Sequence, residues 1–252
     1  MSIKVLINGA AGRMGRKLSA LIEEQPDMEV CARIDAFGNE DEGFIRSIED
    51  FDGDCDVAID FSFHTSAPAL MDYCVKRGLP CVVCTTGHTD DEKAAIVKAS
   101  TSIPVFQSAN MSVGIALLNR LVKQAALIFP EAEVEIIEAH HNKKKDAPSG
   151  TAVSLAEVVT GVKGWDYDKD VRHGRQGIVG ARTQHEIGMH SIRGGDIVGD
   201  HTVLFAADGE RVELTHKASS RNTFAKGALR AARWLMNAKP GMYDMQDVLG
   251  FK

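Results

Sequence analysis

The sequence lacks what a membrane or nucleic-acid protein would need. Nowhere does it hold the roughly 20 consecutive apolar residues of a bilayer span, and its N-terminus passes straight into Ile3-Lys4-Val5-Leu6-Ile7 with no export-signal pattern. The chain is therefore expected to be soluble and cytoplasmic. Basic residues are in the minority, 29 Lys and Arg against 35 Asp and Glu. The net charge of −6 offers no general attraction to nucleic acid or anionic lipid, so an anion site must be a local concentration of cations. There is no internal repeat and no low-complexity tract. Cysteines are few and odd in number: Cys31, Cys55, Cys74, Cys81 and Cys84. Without an export signal they are expected to be reduced thiols. The Cys81-Val82-Val83-Cys84 spacing sits in a short apolar run of the buried-strand type, where residues three apart face opposite ways. It reads as core and not as a redox motif or half of a zinc site, and no metal is expected.

What is present is an alternation of apolar strands and amphipathic helices, in a chain whose 252 residues can bury one large or two modest cores. Strands are expected near 3–7, 28–34, 56–61, 80–85 and 103–107, with helices near 13–24, 66–77 and 90–99, which implies right-handed βαβ units on a parallel sheet. From about residue 112 the pattern changes. A long apolar helix from Val113 to Phe129 precedes strands near 133–139, 183–192, 201–206 and 210–216, with a helix near 150–160 among them. This is an α+β segment with a mixed sheet. Residues 161–176 are expected to form the longest surface loop. A final amphipathic helix near Thr223–Asn237 is available to pack back on the first segment.

Strand 3–7 ends in Asn8-Gly9-Ala10-Ala11-Gly12-Arg13-Met14-Gly15-Arg16 and leads into a helix. Glycines at 9, 12 and 15 let the backbone turn sharply and approach a pyrophosphate, whose charge meets free N–H groups at the helix start. The second strand ends in Asp35, a carboxylate placed to accept from ribose hydroxyls, which completes a Rossmann-type fingerprint. Ala36 and Phe37 follow, so no arginine is at hand for a 2′-phosphate. NADH is expected to serve at least as well as NADPH, although Arg13, Arg16 and Arg33 lie nearby.

Strand 133–139 runs into His140-His141-Asn142-Lys143-Lys144-Lys145-Asp146-Ala147-Pro148-Ser149-Gly150-Thr151. Ser149, Gly150 and Thr151 offer hydroxyls and N–H groups at a helix start, which suits a carboxylate. His140, His141 and the lysines add charge and proton donors, and Asp146 and Pro148 shape the turn. Residue by residue the same stretch also reads as a solvated lysine loop, a helix cap and two structural histidines. Taken together it is a compact site for an anion that must be protonated.

These segments, with Glu138-Ala139 ahead of His140, Thr85-Thr86-Gly87, Ala109-Asn110-Met111-Ser112-Val113-Gly114 and Thr215-His216-Lys217-Ala218-Ser219-Ser220-Arg221, resemble the 4-hydroxy-tetrahydrodipicolinate reductase (dihydrodipicolinate reductase) family over essentially the whole chain. The resemblance implies NAD(P)H-dependent reduction of 4-hydroxy-tetrahydrodipicolinate to tetrahydrodipicolinate, with loss of water, in the diaminopimelate route to lysine. It implies an acid/base role for His140, a proton-donor role for Lys144, and substrate contacts from His141, Ser149, Gly150 and Thr151. Around the cofactor it implies Gly9, Ala10, Ala11, Gly12, Arg13, Met14 and Asp35, with Cys84, Thr85, Thr86, Ser108, Ala109, Asn110 and Met111 beside the nicotinamide. It further implies a dinucleotide-binding domain over 1–111 completed by 221–252, a substrate and oligomerisation domain over 112–220, and a homotetramer paired through the open sheet. Cys84 stands where glycine is common, Met111 where phenylalanine is common, and Ala36 where NADPH-preferring members carry arginine. Two other readings stay open on the residues alone: another NAD(P)-dependent reductase of an imine or aldehyde, with Cys84 as a conceivable thiol nucleophile, and a non-catalytic NAD(H)-binding redox sensor.

Overall fold

The computed structural model describes residues 2–252, which divide into two compact units, one ending at Ser112 and resumed over Asn222–Lys252, the other Val113–Arg221. In the first, β1 (Ile3–Asn8), β2 (Met28–Ile34), β3 (Val57–Asp60), β4 (Cys81–Val83) and β5 (Pro104–Gln107) alternate with α1 (Arg13–Glu23), α2 (Ala67–Arg77) and α3 (Asp90–Ser100). All pairings are parallel, and the order places β2 and β3 on either side of β1. Val5, Leu6, Ile7, Val57, Ala58 and Ile59 are wholly buried, as expected of strands covered on both faces. Local signals set the helix ends. Thr89 and Glu92 form a reciprocal capping box at the start of α3, and Gly78 closes α2 in the left-handed conformation.

The chain's last long helix, α7 (Asn222–Leu235), also belongs to this unit and packs on α1 and the sheet. After it, β11 (Gly241–Tyr243) adds a sixth strand beside β5, followed by the single turn α8 (Met245–Val248). β11 lies outside the sequence expectation because its three residues are too few to show a period.

The second unit begins with α4 (Val113–Ile128) and continues through β6 (Glu133–His140), α5 (Gly150–Lys163), α6 (Tyr167–Asp170), β7 (Val171–His173), β8 (Ile187–Arg193), β9 (Gly199–Ala207) and β10 (Glu210–Ala218). Its sheet runs β10-β9-β6-β8-β7, antiparallel at β10-β9-β6 and parallel at β6-β8-β7. Val134, Ile136, Val203 and Phe205 face α4 and α5 across an apolar core. The opposite face carries Glu135, Ile137 and Ile192, and the last two are 38% and 51% exposed.

The irregular stretch differs from the expected 161–176. α5 persists to Lys163, α6 is capped by the Asp166 carboxylate, and β7 pairs with β8, so the long loop is 174–186 instead. β8 accordingly starts at Ile187 and not at 183. The loop is held by charge: Arg175 and Arg182 both bind the Glu135 carboxylate, and Arg175 also binds Glu186. Such long-range ion pairs leave no periodic trace in the sequence.

Within α7, a Cβ on the buried Gly227 would fall on the Met111 carbonyl oxygen. Gly227→Ala is therefore expected to lower the thermal midpoint, although alanine is favoured over glycine in a helix by about 1 kcal/mol. An unchanged or raised midpoint would show that the approach of α7 to Met111 is slack.

Candidate active site

In the first unit the three glycines of the β1–α1 turn do different work. Gly9 has φ +81°, and a Cβ there would sit 2.5 Å from the Phe61 carbonyl oxygen. A Cβ on Gly15 would overlap the Gly9 carbonyl oxygen, whereas one on Gly12 would lie 3.2 Å from that atom and otherwise in the open. Gly9 and Gly15 therefore serve the turn and the packing of helix on strand, while exposed Gly12 leaves the backbone open to a ligand. No side chain caps α1 at Gly12, and no acidic residue lies in its first turn. Arg13 and exposed Arg16 flank a helix start suited to a pyrophosphate.

Asp35 ends the adjacent strand, its carboxylate accepting from the Ala11 N–H at 2.9 Å and the Phe37 N–H at 3.0 Å. It is thereby fixed against the glycine turn. Beneath the turn, buried Asp60 accepts from Asn8 Nδ2 at 2.8 Å and from the hydroxyl of Ser62, tying the carboxyl ends of β1 and β3 together. Burial pushes its pKa up. The crevice between those strand ends is where an open α/β sheet reverses its winding and takes its ligand. Thr85 is buried and Thr86 exposed at the end of β4, while Ser108 accepts from the Asn110 N–H in the β5 loop. Met111 is 3% exposed, so its side chain belongs to the core. Burial pushes the Cys84 thiol well up, the opposite of what an activated thiol nucleophile requires. The cradle thus fits a dinucleotide: a Cβ would fill part of it, and backbone N–H groups line it.

In the second unit, His140 closes β6. Its Nδ1 lies 2.6 Å from Glu138 Oε2, and Glu138 is wholly buried. Arg193, at the end of the neighbouring β8, grips both Glu138 oxygens at 2.9 and 2.7 Å, and Glu138 Oε1 also accepts from the Ser149 N–H at 3.2 Å. Burial alone would raise Glu138, but Arg193, Ser191 and His140 outweigh it and hold the carboxyl at about 2. A permanent carboxylate can only accept, so the His140 proton resides on Nδ1 and Nε2 is left for other work. The ring lies over Gly199, where a Cβ would come within 3.0 Å of Nε2.

Ser149 is the N-cap of α5. It is 2% exposed, its Oγ accepts from the Ala152 N–H, and it shares a hydrogen bond of 2.9 Å with His201 Nε2. Its hydroxyl is therefore spent on the fold, a role for the sequence's helix-cap reading. Gly150 is exposed and Thr151 half-buried at the helix start. Lys144 Nζ pairs with Asp146 Oδ2 at 2.9 Å, and Arg221 Nη2 reaches His141 Nε2 at 3.5 Å. Burial, then the charges of Arg221, His140, Lys144 and Arg193, push the His141 pKa down. These four side chains converge on one place. A potential that resists a further proton is one that attracts an anion. A recess of 480 Å³ lies alongside, between Pro148 and the Met189–Ile192 stretch of β8, and is not lined by His140 or Lys144.

Comparison with known proteins gives this geometry its context. Residues 3–111 match "Dihydrodipicolinate reductase, N-terminus" and residues 114–249 match "Dihydrodipicolinate reductase, C-terminus". The chain belongs to the dihydrodipicolinate reductase family. It is 48% identical over 249 residues to the 4-hydroxy-tetrahydrodipicolinate reductase of Akkermansia muciniphila, covering 98% of each chain. To that of Chromobacterium violaceum it is 46% identical over 268 residues, covering both in full. A dipicolinate-bound dihydrodipicolinate reductase from Paenisporosarcina sp. TG-14 has the same fold, with TM-score 0.77 at 24% identity over 98% of this chain and 99% of that one. Membership makes the chain an oxidoreductase with a nicotinamide cofactor. No helix among the described residues is long and apolar enough to cross a membrane.

Four residues of this family member's site were given no role from the sequence: Glu138, Arg193, His201 and Arg221. Glu138 and His201 did leave a signal, because both occupy inward positions of otherwise apolar alternation, Val134-Ile136-Glu138 on β6 and His201-Val203-Phe205 on β9. A charged or polar residue in such a place needs a partner.

Burial, then the charge of His140, pushes His201 down from 6.5 to about 4. The fold thus favours neutral His201. An unfolded chain gains that proton as pH falls through 6.5 and the folded chain only near 4, so stability present above 6.5 is lost across this window. The loss approaches about 3 kcal/mol. Replacing His201→Gln is expected to flatten the fall of the urea midpoint between pH 6.5 and 4. An unaltered slope would place the acid sensitivity elsewhere.

Proposed function

We propose that the chain reduces 4-hydroxy-tetrahydrodipicolinate to tetrahydrodipicolinate, with loss of water, in the diaminopimelate route to lysine, using NADH at least as well as NADPH. The observation that carries this reading is the convergence of His140, His141, Lys144, Arg193 and Arg221 beside the N-terminus of α5, on a protein whose net charge is −6. A small dicarboxylate needs such a site, and little else in the chain is suited to it.

In the first unit, Gly9 to Met14 would hold the pyrophosphate and Asp35 the adenosine ribose, with Cys84 to Thr86 and Ser108 to Met111 bordering the nicotinamide. When bound, the cofactor supplies a hydride to carbon. The chain's own residues do the rest. Backbone N–H groups at Gly150 and Thr151, with the Thr151 hydroxyl, grip one carboxylate, and His141 and Arg221 neutralise the dianion. Ser149 serves by capping this helix start and not by touching substrate. Lys144, charged and held by Asp146, delivers the proton. His140, its Nδ1 committed to Glu138, presents Nε2 as the acid/base. Asp35 is followed by Ala36 and exposed Phe37, so no arginine directly after the ribose carboxylate rewards a 2′-phosphate. The exposed Ile137 and Ile192 on the open sheet of the second unit suit pairing of subunits into a homotetramer, in a cytoplasmic enzyme.

The test is the fall in cofactor absorbance with freshly generated 4-hydroxy-tetrahydrodipicolinate, against pyruvate and simple aldehydes. Oxidation of NADH, at least as fast as that of NADPH and only with the cyclic dicarboxylate, is expected. Lys144→Ala should lower kcat by roughly two to four orders of magnitude while leaving NADH affinity nearly unchanged. Turnover of an aldehyde instead would overturn the substrate, and unchanged kcat in the variant would remove Lys144 from the chemistry.

A further inference from the structure

Beside Asp35 the first unit holds out one aromatic ring that packs on nothing. Phe37 is 96% exposed, more than any other large hydrophobic side chain described in this unit, and its ring has no aromatic or cationic partner among the described residues. Phe44, in the same loop, shows the ordinary alternative. It is buried, a Cβ on Gly38 would overlap its side chain, and the Arg16 guanidinium lies over its ring at 6.0 Å. Phe63, on the loop after β3, is 66% exposed, but its ring leans on His64 with centroids 4.3 Å apart.

The exposed ring is held in a defined place. The Phe37 N–H donates to Asp35 Oδ1 at 3.0 Å, the Gly38 N–H to the Asp35 carbonyl at 3.0 Å, and the Asp35 N–H to the Ile45 carbonyl at 2.9 Å. The other carboxylate oxygen accepts from the Ala11 N–H of the glycine turn at 2.9 Å. Phe37 therefore stands next to the group suited to ribose hydroxyls. The purine of a dinucleotide hangs from the carbon adjacent to the one bearing the 2′-hydroxyl, so a ribose held by Asp35 brings its base within reach of this ring. An aromatic side chain covers a purine face at low cost in conformational entropy. The cations of the surrounding segments have other partners. Arg16 donates from Nε to the Ala11 carbonyl at 2.9 Å, Arg33 pairs with Glu23 at 3.4 Å, and Arg46 with Glu40 at 2.9 Å.

We propose that Phe37 is the adenine platform of the dinucleotide site and a determinant of cofactor choice. Its ring lies flat on the purine. Standing beside the ribose 2′ position, the same ring offers a 2′-phosphate no donor, where an arginine would supply several. The preference for NADH thus comes from a side chain that is present as well as from an arginine that is absent. This rests on the dinucleotide reading of the first unit and is independent of the substrate assigned to the second.

Calorimetry on the full chain tests it with three ligands: NADH, ADP-ribose, which keeps the adenine and lacks the nicotinamide, and reduced nicotinamide mononucleotide, which lacks the adenosine half. Phe37→Ala should weaken NADH and ADP-ribose together by roughly 5- to 150-fold. It should leave the mononucleotide and the thermal midpoint unmoved, because an exposed ring has no packing to lose. Phe37→Trp should restore both affinities, and the added indole emission should be quenched by ADP-ribose. Phe37→Arg should move the ratio of NADH to NADPH affinity toward NADPH. Native protein that binds no NADH would overturn the dinucleotide reading and the platform with it. Native binding that Phe37→Ala leaves unchanged, mononucleotide affinity lost in step with NADH, or an unquenched indole in Phe37→Trp would overturn the platform alone. An unmoved ratio in Phe37→Arg would overturn its part in cofactor choice.

Discussion

A single buried carboxylate organises the second unit. Glu138 has no exposed surface, and an ion so placed persists only if its oxygens are fully engaged. Arg193 supplies two hydrogen bonds, the Ser149 N–H a third and His140 a fourth. The partners come from the end of β8, the cap of α5 and the end of β6 itself, so one charge ties three elements of the unit together. Arg193 also donates to the Asp146 carbonyl, which carries the constraint into the turn holding Lys144. Removing one member of such a buried set typically costs 3–5 kcal/mol, because the others are left charged and unpaired.

From that constraint follows the chemical character of the site. Glu138 and Arg193 neutralise each other, so the positive field at His141 and Lys144 arises from groups that have not been fully cancelled. The field is local, within a protein of negative net charge, and so distinguishes an anionic substrate from the bulk of cellular cations. The helix start at Gly150 adds directed donors to this field at no cost in side-chain entropy. His201, 5.2 Å from His140, contributes by staying neutral, because burial and the charge of His140 push its pKa down.

Much of this was legible in the sequence, for definite reasons. The βαβ alternation and the glycine turn are local patterns, whereas the separate steric duties of Gly9, Gly12 and Gly15 come from the structure. The cluster from His140 to Thr151 is contiguous, so its members were visible together. Glu138 was given no role in it, because a glutamate two residues before a histidine looks like any strand residue until its face is known. Arg193 lies 53 positions from His140, and only the parallel pairing of β6 with β8 brings them together. The loop misplaced to 161–176 failed for the same reason: Arg175, Arg182 and Glu135 hold the true one through contacts with no periodicity. Ser149 shows the opposite limit, since its type fitted both a substrate ligand and a helix cap, and only its burial and its bond to His201 separate the two.

The central claim is that Glu138 fixes the proton of His140 on Nδ1 and frees Nε2. Long-range ¹H–¹⁵N correlation spectra of the imidazole, recorded across neutral pH on the native protein and on Glu138→Gln, test it directly. The account predicts that neutral His140 in the native protein carries its proton on Nδ1, and that the amide, able to donate as well as accept, lets the other tautomer appear. Neutral His140 protonated on Nε2 in the native protein would contradict it.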